Sequence, residues 1–150
     1  MSVCLAKTAG YCFGVSRAVR LVEQAAARGP VVTLGSIIHN RLVVDKLAQQ
    51  GVRVIDRPEQ ATPGVTVVIR AHGVPRTVME QLHRQGNQVI DATCPYVKRI
   101  HNIVSEAEEQ GRTPIIIGIP THPEVEAIAG WCQDPHVFEN AEALDKWLLG

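Results

Sequence analysis

Residues 65–92, VTVVIRAHGVPRTVMEQLHRQGNQVIDA, contain one complete strand, loop, helix and strand. The β-branched run VTVVIRA has strand length and strand composition. PRTVMEQLHRQ is amphipathic, ends against Gly86, and is followed by the second β-branched run QVIDA. Two strands separated by a crossover helix lie parallel, and their sheet needs cover on both faces.

The same alternation extends in both directions. Towards the N-terminus stand VCLAK (3–7) with VSRAVRLVEQAAAR (15–28), and VVTL (31–34) with NRLVVDKLAQQ (40–50). Towards the C-terminus follow PYVKRIHNIVSEAEEQ (95–110), TPIIIGI (113–119) and PEVEAIAGW (123–131). The expected fold class is therefore α/β, built of three-layer parallel-sheet domains. One is expected to be complete over residues 1–93. A second, over 94–150, is expected to be truncated, because PHVFENAEALDKWLLG adds only one short strand and a helix. Gly29-Pro30, Gly51, Gly86 and Gly111 mark helix ends. Pro75, Pro95 and Pro123 stand where a first helical residue tolerates the missing N–H.

Composition narrows the function classes. The chain has 150 residues, 45% of them hydrophobic, enough for a buried core. Fifteen Lys and Arg balance fifteen Asp and Glu, so there is no basic field of the kind that drives nucleic-acid or membrane-surface binding, and an anionic ligand must be held by local groups. The N-terminus lacks the features of a signal peptide, and no apolar run approaches the roughly 20 residues of a membrane span. A cytoplasmic location is the expectation. Four cysteines, Cys4, Cys12, Cys94 and Cys132, are too few for a disulfide scaffold and would remain thiols there.

A weak repeat carries the functional signal. VVTLGSIIHN, VVIRAHGVP and IIIGIPTHPE each run from a strand through a histidine-bearing loop towards a helix, which places His39, His72 and His122 in equivalent positions. Ligands of open parallel sheets bind beyond the carboxyl ends of the strands. Cys12, expected after a first strand, and Cys94, after QVIDA, fall on that same rim with His122 and Glu124.

Each residue also has a plainer reading. Cys4, inside VCLAK, is expected in the core as a small hydrophobe, and Cys132, following a helix beside Trp131, as packing or surface. Cys94 lies in Thr93-Cys94-Pro95, at a helix N-terminus whose partial positive charge favours the thiolate that metals bind. Cys12 sits similarly in GYCFGV, between two glycines that permit close approach of backbone. Capping or simple exposure would explain any one of the three histidines, and complementing a helix dipole would explain Glu124. A carboxyl in a water-poor pocket near a metal could instead serve as a proton donor. His83, His101 and His136 share no such pattern and are not assigned to the site.

Five ordered motifs, GYCFGVSRAV, GSIIHN, RAHGV, DATCPYVKRIH and THPEVEAIAGW, resemble the successive signatures of the LytB/IspH family. The resemblance implies an iron–sulfur reductase of 4-hydroxy-3-methylbut-2-enyl diphosphate, with three similar α/β domains around a [4Fe–4S] cluster. It implies that Cys12 and Cys94 are two of three cluster ligands, that His39, His72 and His122 bind the substrate diphosphate, and that Glu124 donates a proton. It also implies an electron donor such as ferredoxin or flavodoxin. The third cysteine and the third domain have no counterpart in this sequence, so the expectation is a partial chain, inactive alone. The alternatives are a non-catalytic phosphate-binding module and a zinc site of Cys12, Cys94 and a histidine.

Overall fold

The computed structural model describes residues 2–150. Its order is α1 (Phe13–Ala26), β1 (Val31–Leu34), α2 (Arg41–Gln49), β2 (Arg53–Ile55), a 3₁₀ turn (Pro58–Gln60), β3 (Thr66–Ile69), α3 (Arg76–Arg84), β4 (Gln88–Asp91), α4 (Pro95–Glu109), β5 (Ile115–Ile117), α5 (Pro123–Ala129), β6 (His136–Phe138) and α6 (Ala141–Leu149). Strands β1 to β4 form one parallel sheet in the order β2-β1-β3-β4, and β5 pairs in parallel with β6.

The period-two alternation of the strands decides which helix covers which face. Val32 and Leu34 of β1 are in register with Val67 and Ile69 of β3. They turn to the face where Leu82 of α3 packs with Val74 and Ala61. The intervening Val31 and Val68 turn to the opposite face and meet Ala18, Val22 and Ala25 of α1 together with Val43 and Leu47 of α2. Helices on both faces make the first sheet a three-layer α/β arrangement, as the alternation implied.

Three helices end alike. After α2, α3 and α4 the chain turns through Gly51, Gly86 and Gly111. In each case the following N–H bonds back to a carbonyl of the last turn: Val52 to Leu47, Asn87 to Leu82 and Arg112 to Ala107, at 2.9–3.1 Å. Pro95 and Pro123 are first helical residues, whereas Pro75 is the N-cap one position earlier.

Two expectations are corrected. VCLAK forms no strand, and Cys4 is exposed rather than part of the core; its neighbours Val3 and Leu5 are 96% and 81% exposed. An apolar run becomes a strand only where a neighbouring ladder satisfies its backbone, and residues 3–7 pair with none of the described strands. Cys12 therefore follows irregular chain and caps α1 directly. Conversely, β2 and the 3₁₀ turn had no strong signal: β2 is a three-residue edge strand with Ile55 as its one buried side chain.

Candidate functional site

In the order β2-β1-β3-β4 the connections leave β1 and β3 in opposite directions, which opens a crevice beyond their carboxyl ends. The loop after β1 carries His39 and the loop after β3 carries His72. Backbone bonds stitch these loops beyond the sheet. The Ala71 N–H donates to the Ile37 carbonyl at 3.1 Å, and the Cys94 N–H donates to the Ala71 carbonyl at 2.9 Å. Three consecutive strand ends thus hold their loops side by side.

The histidines meet there. The rings of His39 and His72 lie 4.5 Å apart between centroids, and His122 approaches His72 edge-on at 6.0 Å from the smaller sheet's β5–α5 loop. His122 is also the N-cap of α5: its Nδ1 accepts from the Glu124 N–H at 3.2 Å. An accepting Nδ1 leaves the proton of the neutral ring on Nε2, so capping and an outward donor coexist in one side chain. Burial, followed by the nearby His39, Arg70 and His122, lowers the pKa of His72 to about 4. His72 is therefore neutral at physiological pH, and its buried Nδ1 has no partner among the described residues.

Fixed positive charge comes from Arg70, which the motif RAHGV contains but which residue-type reasoning passed over. Its Nε–H donates to the Gly73 carbonyl at 3.3 Å. Its guanidinium lies over Gly35, where a Cβ would come within 2.6 Å of Nη1. Burial lowers its pKa and Glu126 raises it. One side chain thereby contacts both the loop of His39 and the loop of His72.

Cys12 and Cys94 are the N-caps of α1 and α4, and neither side chain makes a capping hydrogen bond. Both thiols are free to bind elsewhere at the positive ends of helices. Gly14 brings the two helix starts together, since a Cβ there would lie 2.7 Å from Cys94 Sγ. Arg17, one turn further along α1, donates to the carbonyls of Thr93 and Asp91, each at 3.2 Å, and so fixes α1 to the loop that presents Cys94. Burial would raise the pKa of Asp91, but hydrogen bonds from Lys98 and Thr93 hold it below the ordinary value. Arg17 stands in the motif GYCFGVSRAV, but its residue type did not single it out, because its acceptors are backbone carbonyls far along the chain. The donor set suits an iron–sulfur cluster in part: two thiols without capping bonds stand at the starts of two neighbouring helices, yet no three His, Cys, Asp or Glu among the described residues could hold a metal ion.

Glu124 lies half-buried in the first turn of α5, two residues from His122. Cys132 is half-buried outside this cluster. Its thiol donates to the Ala129 carbonyl at 3.5 Å, and burial with Glu108 and Asp134 raises its pKa. His83 and His136 lie outside the trio, whereas His101 is fully buried on α4 and stacks on Trp131.

A family model described as LytB protein matches residues 3–148. A protein of Thermoanaerobacter sp. (strain X514), named 4-hydroxy-3-methylbut-2-enyl diphosphate reductase, is 42% identical over 94% of this chain and 51% of its own length. One of the same name from Solidesulfovibrio magneticus is 39% identical over 97% of this chain and 54% of its own length. The chain thus spans about half the length of the curated relatives it matches. A solved E-1-hydroxy-2-methyl-but-2-enyl-4-diphosphate reductase from Plasmodium falciparum superposes with a TM-score of 0.89 at 30% identity, over 93% of this chain and 45% of that one. A second solved structure, described as (E)-4-hydroxy-3-methyl-but-2-enyl diphosphate reductase, the terminal enzyme of the non-mevalonate pathway, gives 0.84 at 39% identity, over 99% and 54%.

Proposed function

This chain belongs to the LytB family, and from that premise we propose that it forms part of the active site of a reductase acting on 4-hydroxy-3-methylbut-2-enyl diphosphate. The observation that carries the reading is the meeting of His39, His72 and His122 at the strand ends, where the loop of His72 is bonded to the backbone of Cys94. His39, His72 and His122 bind the diphosphate, as neutral donors in the case of His72, while Arg70 supplies nearby positive charge. Cys12 and Cys94 are two thiolate ligands of a [4Fe–4S] cluster, which when bound supplies electrons and a Lewis-acidic iron for the substrate oxygen.

The reaction removes a hydroxyl from an allylic carbon. Two electrons and two protons enter, the C–O bond breaks, the oxygen leaves as water, and the allyl carbon gains a hydrogen to give isopentenyl or dimethylallyl diphosphate. Glu124, on the same helix turn as His122, gives the proton that the leaving oxygen needs. The electrons come from a small carrier such as ferredoxin or flavodoxin, in a cytoplasm that keeps the thiols reduced. With two thiolates of its own, the chain holds the cluster loosely and does not turn over alone.

Anaerobic reconstitution with iron and sulfide tests the reading. Iron and sulfide in equal amounts, lost in both Cys12→Ser and Cys94→Ser, are expected. Zinc bound instead would support a zinc site, and pyrophosphate binding with no uptake of iron would leave a phosphate-binding module.

A further inference from the structure

His101 is 2% exposed, its Nε2 has no hydrogen-bond partner among the described residues, and the reaction above makes no use of it. Its surroundings are specific. One face stacks on the Trp131 indole, with ring centroids 5.1 Å apart and planes 14° from parallel. One edge abuts Gly73, where a Cβ would come within 2.6 Å of His101 Cε1 and 3.2 Å of Thr93 Cγ2. Trp131 in turn donates from Nε1–H to the Val74 carbonyl at 3.0 Å, and the Arg76 guanidinium lies 5.2 Å from its ring. The Arg76 N–H donates to the Gly130 carbonyl at 3.1 Å, and Gly130 packs against Pro75.

Each partner belongs to an element that begins or ends at a site residue. His101 stands seven residues after Cys94, two turns down α4. Trp131 follows the last turn of α5, whose N-cap is His122. Gly73 and Val74 directly follow His72. We propose that the His101–Trp131 stack is a positioning device that sets where His72, Cys94 and His122 stand relative to one another.

The stack works as a spacer. Its two flat rings fix the separation of α4 from the end of α5, and the indole N–H ties that pair to the His72 loop. Without a Cβ at Gly73 the loop closes directly on the imidazole edge. Burial, opposed by Asp91, lowers the His101 pKa to about 4, so the ring packs as a neutral plate. What the ring contributes is thickness and planarity, which a phenyl ring shares. A saturated or truncated side chain would let α4 and α5 collapse together or slide.

The inference rests on the proposed site, and its test separates the two. Nuclear Overhauser contacts between the ring protons of His72 and His122, and the affinity for inorganic pyrophosphate, are measured for the native chain, His101→Phe, His101→Ala and Trp131→Phe, with circular dichroism as the check of folding. His101→Phe should keep the ring contacts and bind pyrophosphate within about threefold of native. His101→Ala, where folded, should lose the His72–His122 contacts and bind at least tenfold more weakly. Should His101→Ala not fold, Trp131→Phe decides: it keeps a ring but deletes the bond to Val74, and should weaken binding several-fold with the fold intact. Unchanged contacts and binding in a folded His101→Ala or Trp131→Phe would overturn the inference, as would a folded His101→Phe as impaired as the alanine variant. Contacts that respond to these substitutions in a chain that never binds pyrophosphate would sustain the positioning role and remove the diphosphate reading instead.

Discussion

Gly14 shows how little room separates the two thiol-bearing helix starts. Alanine in place of a helical glycine ordinarily stabilises by up to about 1 kcal/mol. Here the new methyl would meet Cys94 Sγ at 2.7 Å, so the sulfur must move. Gly14→Ala should therefore lower the urea midpoint in the native background and lower it less in a Cys94→Ala background, where the sulfur is gone and only the Cβ at 3.3 Å remains, and the difference between the two effects across the four chains checks the contact. The buried histidines make a second claim at this scale. His101 and His72 have folded pKa values of about 4 against an ordinary 6.5, so between those values the unfolded chain binds more protons. The stability they contribute is complete above pH 6.5 and declines as the pH falls towards 4, with a slope approaching about 1.4 kcal/mol per pH unit for each histidine. Denaturant titrations across this range should show a shallower decline for His101→Phe than for the native chain, with the share of His72 remaining.

Among elements, helices were easier to read than strands for a physical reason. A helix closes its hydrogen bonds within itself, so apolar spacing, a starting proline and a closing glycine are all local. A strand is completed only by a neighbour. VCLAK had the composition without the neighbour, and Arg53–Ile55, too short to stand out in the sequence, found a neighbour in β1. The shared helix ending gives a direct check. Gly86 turns at φ +76°, and the Asn87 N–H that it brings round bonds to the Leu82 carbonyl. Gly86→Ala should cost about 1–2 kcal/mol, the penalty of a side chain in the left-handed region, read as a lower thermal midpoint with the helix content retained.

At the scale of the whole molecule, the histidine cluster was legible because parallel strands deliver their loops to one end. A repeated strand–histidine–helix pattern is then a statement about proximity, and His39, His72 and His122 do come together. Arg17, Arg70 and the His101–Trp131 stack were not legible, since their partners are backbone carbonyls, glycines or a ring brought close only by the finished fold. The smaller sheet has a different consequence. β5 is Ile-Ile-Ile; Ile115 and Ile117 are 45% and 55% exposed, and one long edge of the strand has no partner among the described residues. Such an edge is a template for self-association, and the prolines at 114 and 120 act as gatekeepers that shorten it without blocking it. Concentrated solutions of this chain should accumulate thioflavin-binding aggregates, and Ile117→Lys, which places a charge on that exposed strand, should delay them while leaving the iron and pyrophosphate assays unchanged.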